Sequence, residues 1–197
     1  MIEILSEIDQ ELFLLLNGGH TPFWDTVMYY ISEKLTWVPL YLFLIFLIYK
    51  SEKRESLFII FTLIIAVSIA DQVTSGFMKP FFMRFRPCRD PAIQDMVHIV
   101  GGHCGGQYGF ASSHSSTTFA IAMTAFLFLR QHYRYVFLLF IWAAIVAYSR
   151  VYLGVHYPGD ILVGGLLGIL IGFLVYRGYK YTFRKIRARS AARADTG

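Results

Sequence analysis

The chain alternates long apolar runs with short charged breaks. Leu35 to Tyr49 is apolar and is closed by Lys50, Lys53 and Arg54. Leu57 to about Met78 follows, with Asp71 and Gln72 near its far end and Lys79 at its exit. After a polar stretch a third run goes from about Ser115 to Leu129, closed by Arg130, His132 and Arg134. A fourth covers Tyr135 to Tyr148 and a fifth Ile161 to Tyr176. A helix needs about 20 residues to cross the hydrocarbon, so the flanking polar residues must carry the shorter runs into the interfaces. The pattern predicts an all-α polytopic membrane bundle of about five spans, or six if residues 22–49 hold a second membrane helix.

The first 34 residues read differently. Ile2, Leu5, Ile8, Leu12 and Leu15 recur at helical spacing against Glu3, Glu7, Asp9 and Glu11, a helix too charged and too short to span. Asn17-Gly18-Gly19-His20-Thr21-Pro22 breaks it. Phe23 to Lys34 resumes with Trp24, Tyr29 and Tyr30, ring types that sit at headgroup level. Two interfacial helices over 1–34 are expected. The acidic start is unlike a cleavable signal, whose first residues are basic.

Composition supports lipid as the solvent: 56% of the 197 residues are hydrophobic, and mean hydropathy is +0.51. One membrane domain, residues 1–178, and a basic cytoplasmic tail, 179–197, follow. The net charge of +5 is concentrated at the end, with seven Lys/Arg against one Asp from Arg177 onward. A basic tail on a hydrophobic body suits cytoplasm and anionic membrane lipids, not nucleic acid. With the N-terminus outside, the breaks at Lys50–Glu55 and Arg130–Arg134 and the tail all face the cytoplasm. Residues 79–114, an external loop, and 149–160 then share the opposite face, where a single site can assemble.

The stretch Ser149-Arg150-Val151-Tyr152-Leu153-Gly154-Val155-His156-Tyr157-Pro158-Gly159-Asp160 places a cation, a histidine and a carboxylate at the mouth of an apolar helix. Arg150 offers a planar fork suited to phosphate oxygens. His156 can act as nucleophile or proton carrier, and Asp160, four residues on, can hold its other ring nitrogen. Taken alone, the same residues also suit a plain membrane-interface boundary, and the two readings stand level.

Two further motifs join it: Lys79-x6-Arg86-Pro87 and Ala111-Ser112-Ser113-His114. In this order the three resemble the signature of the type 2 phosphatidic acid phosphatase superfamily over roughly residues 57–177. The short length and N-terminal segment look more like the small bacterial undecaprenyl diphosphate phosphatases. The resemblance implies that His156 forms a phosphohistidine, that Asp160 orients it, and that His114 is the general acid and then the base for water. It also implies that Lys79, Arg86, Arg150, Ser112 and Ser113 hold the phosphoryl oxygens, with no metal or other cofactor. The middle motif departs from the common Pro-Ser-Gly-His, which changes the turn that aims the acid. The implied activity is metal-independent hydrolysis of a lipid phosphate or diphosphate at the outer face of the bacterial cytoplasmic membrane. Undecaprenyl diphosphate is the first substrate, with phosphatidylglycerophosphate, phosphatidic acid and lipid A phosphates as alternatives. A non-enzymatic phosphate-binding carrier or scaffold is the rival from another class, and a vanadate haloperoxidase fits five lipid-facing spans less well.

Other residues have plainer readings. Cys88 and Cys104 lie in the loop placed outside, where a disulfide is permitted. The rival is a zinc site of Cys88, His98, His103 and Cys104, whose spacing matches no strong template. Arg84 and Arg89 read as ordinary loop charges, Asp71 as a buried hydrogen bond to a neighbouring helix, and the loop glycines as turns. Gly164, Gly165, Gly168 and Gly172 read as a small-residue face for close helix packing.

Overall fold

The computed structural model describes residues 2–102 and 104–194. Among them there is no strand, only one isolated bridge between Phe85 and Tyr108. Helices α1 (Ile2–Gly18) and α2 (Pro22–Ser32) precede a tight turn, Lys34–Trp37, that leads into α3 (Val38–Glu52). Helix α4 (Ser56–Asp71) widens into π-helical turns over Gln72–Met78 and closes as the short α5 (Lys79–Phe82). The loop 83–112 then leads to α6 (Ser113–Leu129), α7 (Leu138–Tyr152) and α8 (Pro158–Ala194).

Among the described residues four helical stretches are long and apolar enough to cross a bilayer: Lys34–Glu52, Ser56–Phe82, Arg134–Tyr152 and Pro158–Phe183. The remaining expected span is α6, whose 17 residues are enclosed by α3, α4, α7 and α8. Residues 22–49 hold α2 and a single spanning helix, so the sixth span is not found there. Outward-facing Phe43, Phe46, Phe58, Phe61, Ile141 and Leu166 are exposed, as lipid contact requires. The interior is made by Ile48, Ile59, Ala122, Leu129, Ala143 and Val146.

Backbone approach decides where α8 sits. A methyl group on Gly168 would collide with the Ser116 carbonyl, and one on Gly172 would lie 2.9 Å from the Ala120 carbonyl. Small residues therefore seat α8 directly on α6. Past the membrane, α8 continues through most of the basic tail; residues 195–197 lie outside the described residues.

This order brings the C-terminal ends of α5 and α7 and the N-terminal ends of α6 and α8 to one end of the bundle. Helices α1 and α2 cap that end. The docking face of α1 is Asp9, Phe13 and Asn17, one turn apart. Phe13 is fully buried edge-on to Tyr157, ring centroids 5.4 Å apart. The Asn17 amide donates to the Tyr152 carbonyl at 2.8 Å. Leu5, Ile8, Leu12 and Leu15 point away from the bundle and stay exposed, an apolar stripe left for the surroundings. Thr21 caps α2, its Oγ1 accepting from Trp24 N–H at 3.3 Å, and Pro22 opens the helix.

Candidate active site

The helix ends enclose a cavity of about 600 Å³ lined by Lys79, Arg86, Ser113, His114, Arg150 and His156. Its far wall is apolar, formed by Trp37, Tyr41, Val67, Ile121 and Val146 from four helices. The sequence motifs thus converge although they are separated by up to about two fifths of the chain.

His156 is 2% exposed, just before Pro158 starts α8. Its Nδ1 lies 3.2 Å from Asp160 Oδ2, one helical turn on. Its Nε2 lies 3.2 Å from Arg86 Nη1. A guanidinium can only donate, so Nε2 is the acceptor and the proton sits on Nδ1, donated to Asp160. Arg86 holds the lone pair of Nε2 at the cavity wall, which both residues line, and a phosphoryl group there would compete with the guanidinium for it. Burial, then the nearby charges of Arg86, Arg150 and Lys79, hold the imidazole well below its usual 6.5. The free site therefore keeps a neutral, nucleophilic ring.

Asp160 is fully buried, and each of its oxygens is satisfied. Oδ2 accepts from His156 and from Tyr157 N–H at 3.0 Å, while Oδ1 accepts from Arg84 Nη1 at 3.0 Å. Arg84 in turn donates to Asp9 Oδ2 at 2.7 Å, and Asp9 Oδ1 accepts from Gly159 N–H at 2.8 Å. So α1 caps α8 and pins the arginine that holds the carboxylate. Arg84 is therefore not the ordinary loop charge expected. Its side chain stacks on Tyr157, 4.2 Å from the ring centre. Arg84 and Arg86 alternate with Phe85 along an extended segment, so both reach the His156–Asp160 pair from one side. That segment is held by Arg86 N–H to Gln107 O at 3.2 Å and Gly109 N–H to Arg84 O at 2.9 Å. Gly109 must be small, because a Cβ there would stand 2.9 Å from Asp160 Oδ2.

The phosphate-binding candidates divide. Lys79 Nζ donates to Ser113 Oγ at 2.7 Å, and Ser75, one turn earlier, lies 2.8 Å from the same hydroxyl. The π-helical turns place Ser75 on the cavity side, a common use of such widening. Arg86 Nη1 also donates to Val155 O at 3.0 Å, and burial pushes its guanidinium below the usual arginine range. Arg150 donates to Ser32 on α2. Among the described residues none of Lys79, Arg86 and Arg150 forms a salt bridge. The Nε atoms of both arginines are buried without a partner. Ser113 and His114 line the cavity, whereas Ser112 is fully buried with its Oγ capping α6 at Ser115 N–H, 3.5 Å. The hydroxyl expected to bind phosphate at Ser112 thus serves the helix start.

Cys88 and Cys104 form a disulfide with Cα atoms 6.0 Å apart, which removes the Cys–His zinc alternative; His103 lies outside the described residues. The bond ties the segment that carries Arg84 and Arg86 to the segment of Gln107 and Gly109 that pairs with it. Arg89 donates to Gly105 O at 3.2 Å and belongs to the same loop framework. Asp71 accepts from Ser75 within its own helix at 3.2 Å and lines the cavity, rather than reaching a neighbouring helix. Asp9, Ser32 and Ser75 carried no readable signal in sequence, since each is defined by partners far along the chain. Arg84 did have one: it lies between Lys79 and Arg86, two residues before the latter.

The chain is 42% identical over 184 residues to the lipid A 4'-phosphatase of Porphyromonas gingivalis, covering 91% of this chain and 76% of the relative. It is 28% identical over 171 residues to the undecaprenyl-diphosphatase of Sulfolobus acidocaldarius, covering 83% and 75%. Among solved structures, Aquifex aeolicus LpxE superposes with a TM-score of 0.64 at 27% identity, over 85% of this chain and 93% of that one. Residues 57–184, the part that carries every motif of the cavity, match the PAP2 superfamily. The chain belongs to the PAP2 superfamily and is an integral membrane lipid phosphatase.

Proposed function

We propose that this phosphatase removes a phosphate monoester from a lipid-borne sugar, lipid A 4'-phosphate being the first choice, through a phosphohistidine on His156. The observation that carries the reading is a neutral His156 Nε2 facing a cavity with three cations that have no ion-pair partner among the described residues. A bound phosphate supplies the missing anion.

In the first step Nε2 attacks phosphorus, the N–P bond forms and the P–O bond to the sugar breaks. His114 donates a proton to the leaving oxygen. Lys79, Arg86 and Arg150 stabilise the charge on the equatorial oxygens, and Asp160 stabilises the imidazolium through its Nδ1–H. In the second step His114 takes a proton from water, the water oxygen attacks phosphorus, and the N–P bond breaks to free phosphate and His156. These residues complete the cycle without a metal. Ser113 positions Lys79. The apolar wall of Trp37, Tyr41, Val67 and Ile121 takes the lipid portion next to the headgroup.

The choice of lipid A rests on 42% identity to a relative of that name, against 28% to an undecaprenyl-diphosphatase. Undecaprenyl diphosphate, expected first from the resemblance and the external site, is the second reading, because the site grips phosphate and not the tail. Orientation follows from charge: the cationic breaks and tail lie at the end opposite the site, so the site faces the periplasm and the C-terminus the cytoplasm of an inner membrane. The test is phosphate release by purified protein with chelator present, offering lipid A, undecaprenyl diphosphate, phosphatidylglycerophosphate and phosphatidic acid in competition. Preference for the 4'-phosphate of lipid A supports the reading. Preference for another lipid moves the substrate, and a His156→Ala protein as active as wild type removes the mechanism.

A further inference from the structure

Outside the catalytic cavity, the cap formed by α1 and α2 meets the long loop at a second cluster of chemically capable side chains. His20 lies on the turn between α1 and α2, Asp25 in the first turn of α2, and His98 in the loop, 73 residues on from Asp25. His98 Nε2 is 3.1 Å from both carboxylate oxygens of Asp25. The His20 ring stacks on that of His98, centroids 3.6 Å apart and planes within 5°. One ligand atom from each of the three residues lies within 4.8 Å of the others.

We propose that His20, Asp25 and His98 form a structural site for a divalent transition metal, zinc by preference, that fastens the α1–α2 cap to the disulfide loop. The donor set of two imidazoles and a carboxylate suits zinc and disfavours the hard cations magnesium and calcium. Zinc ligands at about 2.0 Å in a tetrahedron stand about 3.3 Å from each other. His98 and Asp25 already have that spacing. His20 is exposed and makes no hydrogen bond among the described residues, so it can turn a ring nitrogen onto the ion. Water completes the fourth position. Binding displaces the proton shared by His98 and Asp25.

The supporting shell is built as such a site needs. Tyr152 Oη donates to Asp25 Oδ1 at 2.8 Å, which fixes the carboxylate. The Asn17 side chain grips the His98 backbone on both sides, accepting from its N–H at 2.8 Å and donating to its carbonyl at 3.0 Å. Below lies Gly154, at φ +79°, where a Cβ would stand 2.6 Å from the His98 carbonyl. Gly154 sits between Arg150 and His156, so the site braces the catalytic segment from outside. It touches no reacting atom, and the proposal stands whichever lipid is hydrolysed.

The test uses the tag-free full chain in detergent, stripped of metal and titrated with cobalt(II) as a spectroscopic probe, then with zinc in competition. One equivalent of cobalt should give visible d–d bands of a low-coordinate N/O site, displaced by zinc, and zinc should raise the melting temperature. His20→Ala should weaken both metals by about tenfold or more while leaving the metal-free melting temperature unchanged. Asp25→Asn, which keeps a hydrogen-bond acceptor for His98, should weaken them likewise. Absence of one-equivalent binding, or wild-type affinity in His20→Ala, would overturn the proposal.

Discussion

Both ends of the bundle carry arginines and lysines, and they use them in opposite ways. At the catalytic end Arg86 is 7% exposed, and its donors go to Val155 O and to His156 Nε2. At the other end Arg130, Arg177 and Lys180 line a groove between α6 and α8, are exposed, and rest over Phe126, Phe173 and Tyr176 at 5.7–6.0 Å. Exposed cations are hydrated and screened, so an added anion gains little from them. Buried cations are costly to keep and gain much from an anion that completes them. Charge alone marks neither function; burial beside a nucleophile does.

Substitutions should separate the ends by size of effect. His156→Ala removes the attacking atom and should cut phosphate release by about 10⁴-fold or more with the fold intact, read by turnover beside a melting curve. Arg86→Ala removes a stabilising donor from the transition state and should cost about 10²- to 10³-fold in kcat. Arg86→Lys should recover only part of this, because an ammonium lacks the second guanidinium nitrogen and the Nε donor that remain for phosphate while Nη1 serves Val155 O and His156 Nε2. Arg84→Gln should act through position. It weakens the hold on buried Asp160 Oδ1, lowers the melting temperature and slows turnover by about tenfold, and Asp9→Asn should share the effect without adding to it in the double variant. Arg130→Ala, exposed at the opposite end, should change turnover by less than about twofold. The pH profile sharpens the same contrast. Neutral His156 is the reactive form and its pKa is lowered, so lowering the pH through 6.5 should not protonate it, and its imidazole nitrogen-15 signals should stay neutral across that range.

Much of this was legible in the chain. Apolar runs placed five helices of the bundle because hydrocarbon imposes length and polarity directly on sequence. His156, Asp160, Arg150, Lys79, Arg86, Ser113 and His114 could be picked out because they fall in three short motifs that resemble a family signature. The expected Cys88–Cys104 disulfide is present. What sequence did not carry were pairings between distant segments. Arg84 and Arg89 look alike in a loop, yet only Arg84 falls on the face of an extended segment that meets Asp160 and Asp9. Ser112 and Ser113 are neighbours, yet the first caps α6 and only the second enters the cavity. Helix α1 reads as amphipathic with a charged solvent face, but the structure docks part of that polar face, Asp9 and Asn17, on the bundle. Periodicity shows that a helix has two faces and not which one is buried.

The most direct test of the central claim is to trap the phosphoenzyme. In His114→Asn, an aryl phosphate whose leaving group needs no protonation should still transfer its phosphate, while water attack lacks its base. The account predicts a radiolabelled, acid-labile and base-stable phosphate that mass spectrometry places on His156 Nε2 and that is lost in the His114→Asn, His156→Ala double variant. Turnover of the aryl phosphate with no phosphoenzyme, or label on any other residue, would contradict it.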